Sequence, residues 1–250
     1  MMIRKQLVTV VIPCHNEARS IKKVVRDFHK STLAKTAFDF DILIVDNNST
    51  DATAEAARQV GARVMHESRQ GKGHAMRTGF ANIDPNAKYV VMLDGDDTYR
   101  PEEVLRLLEP LHHNFCDVVV GSRLGGKMQQ GSMPFLNRAG NWGFTHLARF
   151  VYKVNVTDVF SGYYAWKRPA LDRLAPHLQA HGFALEMEML TKMARMGYEI
   201  YSVPISFDQR TGSAHLRPIY DGFRVLKMFM RNLSWSRPTA TEDEQLEEES

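Results

Sequence analysis

Val90-Val91-Met92-Leu93-Asp94-Gly95-Asp96-Asp97-Thr98-Tyr99 is an apolar run that stops abruptly in three carboxylates. A short apolar run with β-branched members reads as a buried strand, and Gly95 among the acids marks where the chain leaves the sheet. Carboxylates in that place lie on the rim of an open α/β sheet, where crevices for ligands form. Charges so close repel unless a cation or protons neutralise them. Hard oxygen donors at i and i+2, here Asp94 and Asp96, suit Mg²⁺ or Mn²⁺, which take one or two carboxylates and complete their shell with phosphate oxygens and water. The competing reading is a solvated turn capping a helix that opens at Pro101, with Glu102 and Glu103 facing its positive end. The rest of the chain decides between the two.

Upstream, Leu7 to Pro13 is an apolar strand halted by proline, and Ala18 to Phe28 follows with helical spacing at Ile21, Val24, Val25 and Phe28. Asp41 to Asp46 repeats the pattern ahead of a helix over Thr50 to Val60, and a strand at Ala62 to His66 precedes a helix over Gly73 to Ile83. Downstream come a helix over Pro101 to Leu111 and a strand at Asp117 to Val120. Such alternation implies βαβ units, an α/β fold with a Rossmann-like, mostly parallel sheet flanked by helices. After Gly121 the texture changes. Gly, Ser and Gln over Ser122 to Met133 read as a mobile loop, Phe135 to Tyr152 and Gly182 to Met196 as helices, and Glu199 to Phe207 as a strand pair broken by Pro204. This second half reads as an extension completing a site on the first.

At 250 residues, with 44% hydrophobic and 24% charged residues, the composition is that of a globular protein with a sizeable core. Cys14 and Cys116 stand far apart in apolar contexts, which points to buried thiols in a cytoplasmic protein and away from a disulfide scaffold or zinc site. Met1 to Gln6 leads into a strand with no signal-peptide core, and no apolar run approaches the roughly 20 residues of a spanning helix. The net charge of +3 is uneven: six acids and no Lys or Arg fall between Thr239 and Ser250, which leaves a basic body and a tail, residues 239–250, that reads as disordered.

The first strand ends in Pro13-Cys14-His15-Asn16-Glu17 and the second in Asp46-Asn47-Asn48-Ser49-Thr50-Asp51, at the same rim as Asp94. A carboxylate there can accept hydrogen bonds from a base or ribose, and Asp46, still on its strand, is the better candidate; Asp51 reads as an N-cap residue. Gln70-Gly71-Lys72-Gly73 brings backbone and Lys72 to a helix start, where a diphosphate can bind, but lacks the glycine of a Walker loop.

Taken together, Pro13 to Glu17, Val45 to Asp51, Gly71-Lys72-Gly73, Asp94-Gly95-Asp96, Gly121-Ser122-Arg123, Ser161-Gly162 and Arg210-Thr211-Gly212-Ser213 resemble, in order, the motifs of family 2 glycosyltransferases of the fold called GT-A. The nearest resemblance is to the polyprenyl-phosphate sugar synthase branch, that of the dolichyl-phosphate mannose synthases. The resemblance implies that Pro13, Glu17 and Asp46 hold the nucleotide of a nucleotide-diphosphate sugar, with Asp94 and Asp96 on the metal, Mg²⁺ or Mn²⁺, and the diphosphate; His15 and Lys72 are taken with the donor-binding residues by their place at the same rim. It implies phosphate contacts for Arg123, Arg210 and Ser213. His15 stands where the family often has tyrosine, Asn47 replaces a frequent second aspartate, and Ala214-His215 replaces a lysine that often follows Ser213. Residues 1–121 then form the nucleotide-sugar half, and residues 122–238 an acceptor-side extension of the same domain.

That extension points to a greasy anion independently. Between Ser122 and Arg168 seven basic residues face one acid, Asp158, and are interleaved with Phe135, Trp142, Phe144, Phe150 and Tyr152; the pattern recurs between Gln209 and Arg237. Basic and aromatic residues together suit a helix lying on anionic lipid, while an amphipathic helix docked on its own domain fits Phe135 to Tyr152 equally well. No nucleic-acid recognition motif accompanies the charge. On the Gly182 to Met196 helix, Glu186 falls within the apolar arc and is a candidate to bind sugar hydroxyls or order Arg210, with a structural ion pair as the alternative. Glu188 falls on the polar face, paired with Lys192.

The function expected is an inverting, metal-dependent hexosyltransferase with Asp96, Arg123 and Glu186 at its catalytic centre. It would move a hexose from a nucleotide-diphosphate sugar to a polyprenyl phosphate, peripherally on the cytoplasmic face of a membrane; a soluble or saccharide acceptor is the alternative. Whether a membrane-protein partner recruits the chain is left open.

Overall fold

A computed structural model describes residues 5–30, 33, 35–210 and 218–236. Seven strands form one sheet: β1 (Gln6–Cys14), β2 (Phe38–Asp46), β3 (Arg63–His66), β4 (Tyr89–Met92), β5 (Val118–Met128), β6 (Tyr164–Lys167) and β7 (Ile200–Phe207), in the order β3-β2-β1-β4-β6-β5-β7. All pairings are parallel except those of β6, which runs antiparallel to both β4 and β5. The helices are α1 (Ile21–Phe28), α2 (Thr53–Arg58), α3 (Lys72–Ala81), α4 (Val104–His112), α5 (Phe135–Tyr152), α6 (Arg168–Leu174), α7 (Leu185–Arg195) and α8 (Pro218–Leu233).

Strand side chains alternate between faces, and both faces are covered. Val10, Ile12, Ile42 and Ile44 point to one layer with Ile21, Val24, Phe28 and Leu107 of α1 and α4. Val11, Leu43, Val45 and Met92 point to the other, with Met76 and Phe80 of α3, Trp166 of β6, and Met189 and Leu190 of α7. Being apolar on both faces, β1 is buried from Val8 to Ile12 and holds the middle of the sheet.

Three expectations are corrected. Ser122 to Met133 is not a loop throughout, because β5 continues to Met128 beside β7. Ser122 pairs with Pro204 and Lys127 with Ser206, so Arg123 to Gly126 bulge out opposite Ile205 alone; glycines and serine there serve the bulge. Glu199 to Phe207 holds one strand, not two: β7 lies at the edge of the sheet, where a proline lacking its N–H is tolerated. Glu188 is not on a solvated face. It is buried with Lys192, which donates to it at 2.7 Å, and it accepts from the backbone N–H groups of Gln179 and Ala180, because that side of α7 lies beneath the preceding loop and α8.

Helix α5 buries only Asn141, Thr145 and Ala148, whereas Phe135 is 85%, Phe150 74% and Trp142 59% exposed. On α8, Phe223 is 70% exposed, with Tyr220 and Met230 also outside. Among the described residues no helix is long and apolar enough to cross a membrane. Ser213 and residues 239–250 lie outside the described residues.

Candidate active site

The ends of the central strands converge as the alternating pattern requires. Parallel pairing sets Cys14 beside Asp46 and Val11 beside Met92, so the segments after β1, β2 and β4 leave the sheet on one rim. Antiparallel β6 enters at that rim, with Tyr164 paired to Met92. The approach is close. A Cβ on Gly162 would lie 2.0 Å from Asp94 Oδ2, so only glycine leaves that carboxylate its place.

Asp94 and Asp96 are held by cations. Lys72, the first residue of α3, donates to Asp94 Oδ1 at 2.7 Å and to Glu186 Oε1 at 2.6 Å. Arg210 Nη2 lies 2.6 Å from Glu17 Oε1, and its Nη1 3.4 Å from Asp96 Oδ2. Thr98 donates to Asp96 Oδ1 at 2.6 Å. Burial, and after it the Asp94 charge, raises the Asp96 carboxyl above its ordinary range against the pull of Arg210 and Thr98. Burial also raises Glu186, which Lys72 partly opposes. Burial would lower Lys72, but Asp94 and Glu186 outweigh it and hold the ammonium firmly charged. Glu186 Oε2 and Arg210 Nε are buried with no partner among the described residues. The third acid of the motif, Asp97, turns away in a left-handed conformation (φ 64°) to pair with Lys23 at 2.6 Å.

Around the corner of the rim, Asp46 Oδ2 meets His66 Nδ1 at 3.2 Å while its Oδ1 is buried without a partner among the described residues. His15 Nδ1 lies 2.9 Å from the Asn47 carbonyl oxygen and therefore donates to it. Asn47 itself ties down the segment leading into α3, donating to the carbonyls of Glu67 (3.1 Å) and Arg69 (2.8 Å) and accepting from the Gly71 N–H (2.7 Å).

Glu186 and Arg210 do not meet: Arg210 is paired with Glu17 and Asp96, and Glu186 takes the ion-pair alternative with Lys72. Arg123 is partly committed as well. Its Nε and Nη2 grip Asp158 at 2.7 and 2.9 Å, and Nη2 also donates to the Phe160 carbonyl, leaving Nη1 without a partner among the described residues. Asp158 is fully buried and further accepts from the Arg123 N–H and from Asn141 of α5 at 2.6 Å. A cavity of about 380 Å³ runs between these groups and α5 and α8. Its floor carries Lys72, Asp94, Asp96, Arg123, Glu186 and Arg210, and its walls include Met133, Leu136, Phe144, Phe160, Phe183 and Val225.

Residues 9–175 match the model of a family described as "Glycosyl transferase family 2". The chain belongs to that family. As a family 2 transferase it is 33% identical over 222 residues to a dolichyl-phosphate hexose transferase of Haloferax volcanii, covering 89% of this chain and 92% of that one. It is 33% identical over 233 residues to the glycosyltransferase AglJ of the same organism, with 92% and 73% covered. An undecaprenyl-phosphate mannosyltransferase of Micrococcus luteus is 29% identical over 213 residues, with 81% and 84% covered. The fold is that of glucosyl-3-phosphoglycerate synthase from Mycobacterium tuberculosis, solved with Mn²⁺, uridine-diphosphate-glucose and phosphoglyceric acid. The TM-score is 0.71, with 24% identity and 94% of this chain and 81% of that one covered. The GT-A expectation is met.

In this family 2 transferase two buried groups escaped the sequence reading. In the sequence Asp158 shows only as the lone acid of a basic segment, and Asn47 only as a departure from aspartate. The isolation of Asp158 among seven basic residues was itself the usable signal.

Proposed function

We propose that this family 2 transferase moves a hexose from a nucleotide-diphosphate sugar to the phosphate of a polyprenyl phosphate while seated on a membrane surface. The observation that carries the reading is the cavity, with a charged floor and an apolar wall formed in part by α5 and α8, two helices that turn aromatic side chains outward. A soluble acceptor has no use for such a wall. Dolichyl- and undecaprenyl-phosphate transferases among its relatives support the acceptor class.

The donor would lie along the rim, its base and ribose toward Asp46, His15, Pro13 and Glu17, where the unpartnered Asp46 Oδ1 can accept a hydrogen bond. Glu186 Oε2 can accept one from a sugar hydroxyl. A divalent cation fits the hard oxygens of Asp94 and Asp96, each neutralised here by a cation of the chain, Lys72 or Arg210; among the described residues no third acid joins them in a ready-made metal cluster, so phosphate oxygens and water would complete the shell. Asp94 and Asp96 would hold it, and when bound it would neutralise charge developing on the departing diphosphate. Mg²⁺ and Mn²⁺ both suit these oxygens.

The acceptor phosphate is already ionised and needs no strong base to attack the anomeric carbon, with inversion, in one displacement. Arg123 Nη1 is the spare donor on the cavity floor that would position it. Because Asp158 grips Arg123 from one side, the guanidinium is oriented before the phosphate arrives. Basic side chains flanking the aromatic faces of α5 and α8 suit anionic lipid, which the cytoplasmic leaflet carries.

The test is transfer of labelled sugar from a panel of nucleotide sugars to undecaprenyl or dolichyl phosphate, with Mn²⁺ or EDTA, for the wild type and Asp96→Ala. Metal- and Asp96-dependent label in the lipid fraction is expected. Donor turnover with no lipid product would refute the acceptor assignment.

A further inference from the structure

Both carboxylates assigned to the metal already carry a cation of the chain itself. Lys72 sits on Asp94 Oδ1 at 2.7 Å and Arg210 faces Asp96 Oδ2 at 3.4 Å. Neither contact is an exposed surface pair. The Lys72 and Arg210 side chains are only 14% and 28% exposed, and each is anchored from behind by a second carboxylate, Glu186 or Glu17, at 2.6 Å. A divalent ion arriving alone would therefore meet two positive charges on or beside the oxygens it needs, where solvent screens little. Their displacement requires an anion to receive them. Arg210 keeps an Nε with no partner among the described residues, and Lys72 stands at the first turn of α3, whose positive end favours a diphosphate.

We propose that Lys72 and Arg210 are built-in counter-ions of Asp94 and Asp96, transferred to the donor diphosphate as the divalent cation binds, so that metal and nucleotide enter as a coupled pair. This rests on the donor reading above, which names the anion. Glu186 has a positioning role in it. It holds Lys72 against Asp94 in the ligand-free enzyme and keeps the ammonium from leaving with the first passing salt ion. The Lys72 backbone is fixed by the neighbouring Gly73, whose N–H donates to the His181 carbonyl at 3.1 Å and which has no room for a Cβ beside the Ala180 carbonyl. Only the side chain is free to move between the two partners.

Mn²⁺ binding, followed by calorimetry and by the electron paramagnetic resonance of free Mn²⁺, tests this without turnover. Wild type should bind Mn²⁺ alone about tenfold or more weakly than in the presence of GDP or UDP, whichever binds, within the usual range of coupling between sites. Lys72→Met should tighten binding of Mn²⁺ alone by about tenfold and shrink the coupling, while Lys72→Arg keeps both near wild type. Because Lys72→Met leaves Glu186 buried without its partner, Lys72→Met with Glu186→Gln is measured beside it and should show the same gain. Equal Mn²⁺ affinity with and without a bound nucleotide, or no gain in either Lys72→Met variant, overturns the proposal and leaves the donor reading standing. Failure of every nucleoside diphosphate to bind, with or without Mn²⁺, removes the donor reading and this one together.

Discussion

Replacing Asp158 by asparagine removes one charge from a fully buried carboxylate while keeping its shape. Asp158 accepts from the Arg123 N–H and Nε at 2.9 and 2.7 Å, from Arg123 Nη2 at 2.9 Å and from Asn141 at 2.6 Å, with no exposure to solvent. An asparagine amide would point N–H groups at donors and leave the guanidinium, 11% exposed, without a counter-charge. Breaking a buried pair by removing one partner costs about 3–5 kcal/mol. For a chain of this size each kcal/mol lowers Tm by roughly 2–4 °C, so a fall of about 10 °C is expected. The sign with pH is fixed. Burial alone would raise the Asp158 carboxyl, but Arg123 and Asn141 hold it below its ordinary value. Its contribution is therefore complete above the unfolded value of about 3.9 and disappears as pH falls through the lower folded one, so wild type and variant converge only in that acid range. Urea denaturation followed by circular dichroism at pH 7 measures the difference, and Arg123→Met with Asp158→Asn should regain part of the loss because no charge is then stranded. A loss under about 1 kcal/mol, or a double variant as unstable as the sum of the singles, would refute the reasoning.

Gly162→Ala would force its methyl onto Asp94 Oδ2, which must move; transfer and Mn²⁺ affinity in the presence of nucleotide should fall more than about tenfold. Circular dichroism should show the fold retained. Phe150→Ser with Phe223→Ser alters two side chains that are 74% and 70% exposed, so folding stability should change little. Sedimentation with anionic vesicles should nonetheless show partitioning reduced about tenfold or more, since each phenyl group placed in lipid contributes about 1.5–3 kcal/mol. Unchanged vesicle binding would count against the membrane seat of α5 and α8.

What the sequence made legible was local. Strand ends at Asp46 and Asp94 could be read because hydrophobic runs stop at chemistry, and helical periodicity alone turned Glu186 inward, as found at 4% exposure. Its partner could not be read, because Lys72 lies 114 positions away and periodicity says nothing of pairing. The same limit hid the Arg123 grip on Asp158. Helix α5 defeated the usual rule in the opposite direction: apolar residues are expected inside, but Asn141 is drawn in by Asp158, and Thr145 by Asn141 and the Val159 N–H. Burial there follows hydrogen bonds, so Phe135, Trp142 and Phe150 are left outside. The bulge in β5 was read as a loop because Gly-Gly after Arg123 has the composition of one, and only the register against β7 distinguishes the two.

The antiparallel strand β6 has a consequence for anyone who would recombine this enzyme with another. It comes from beyond residue 121 yet lies between β4 and the first residues of β5, which come from before it, and β5 itself runs through that point from Val118 to Met128. There is no seam at which a donor half could be joined to a foreign acceptor half. A graft at residue 121 would cut a strand between its pairing with β6 and its bulge, and it would separate Asp94 from the glycine that makes room for it. Smaller pieces hung on the intact sheet, the bulge and helices α5 and α8, can be exchanged without cutting a paired strand.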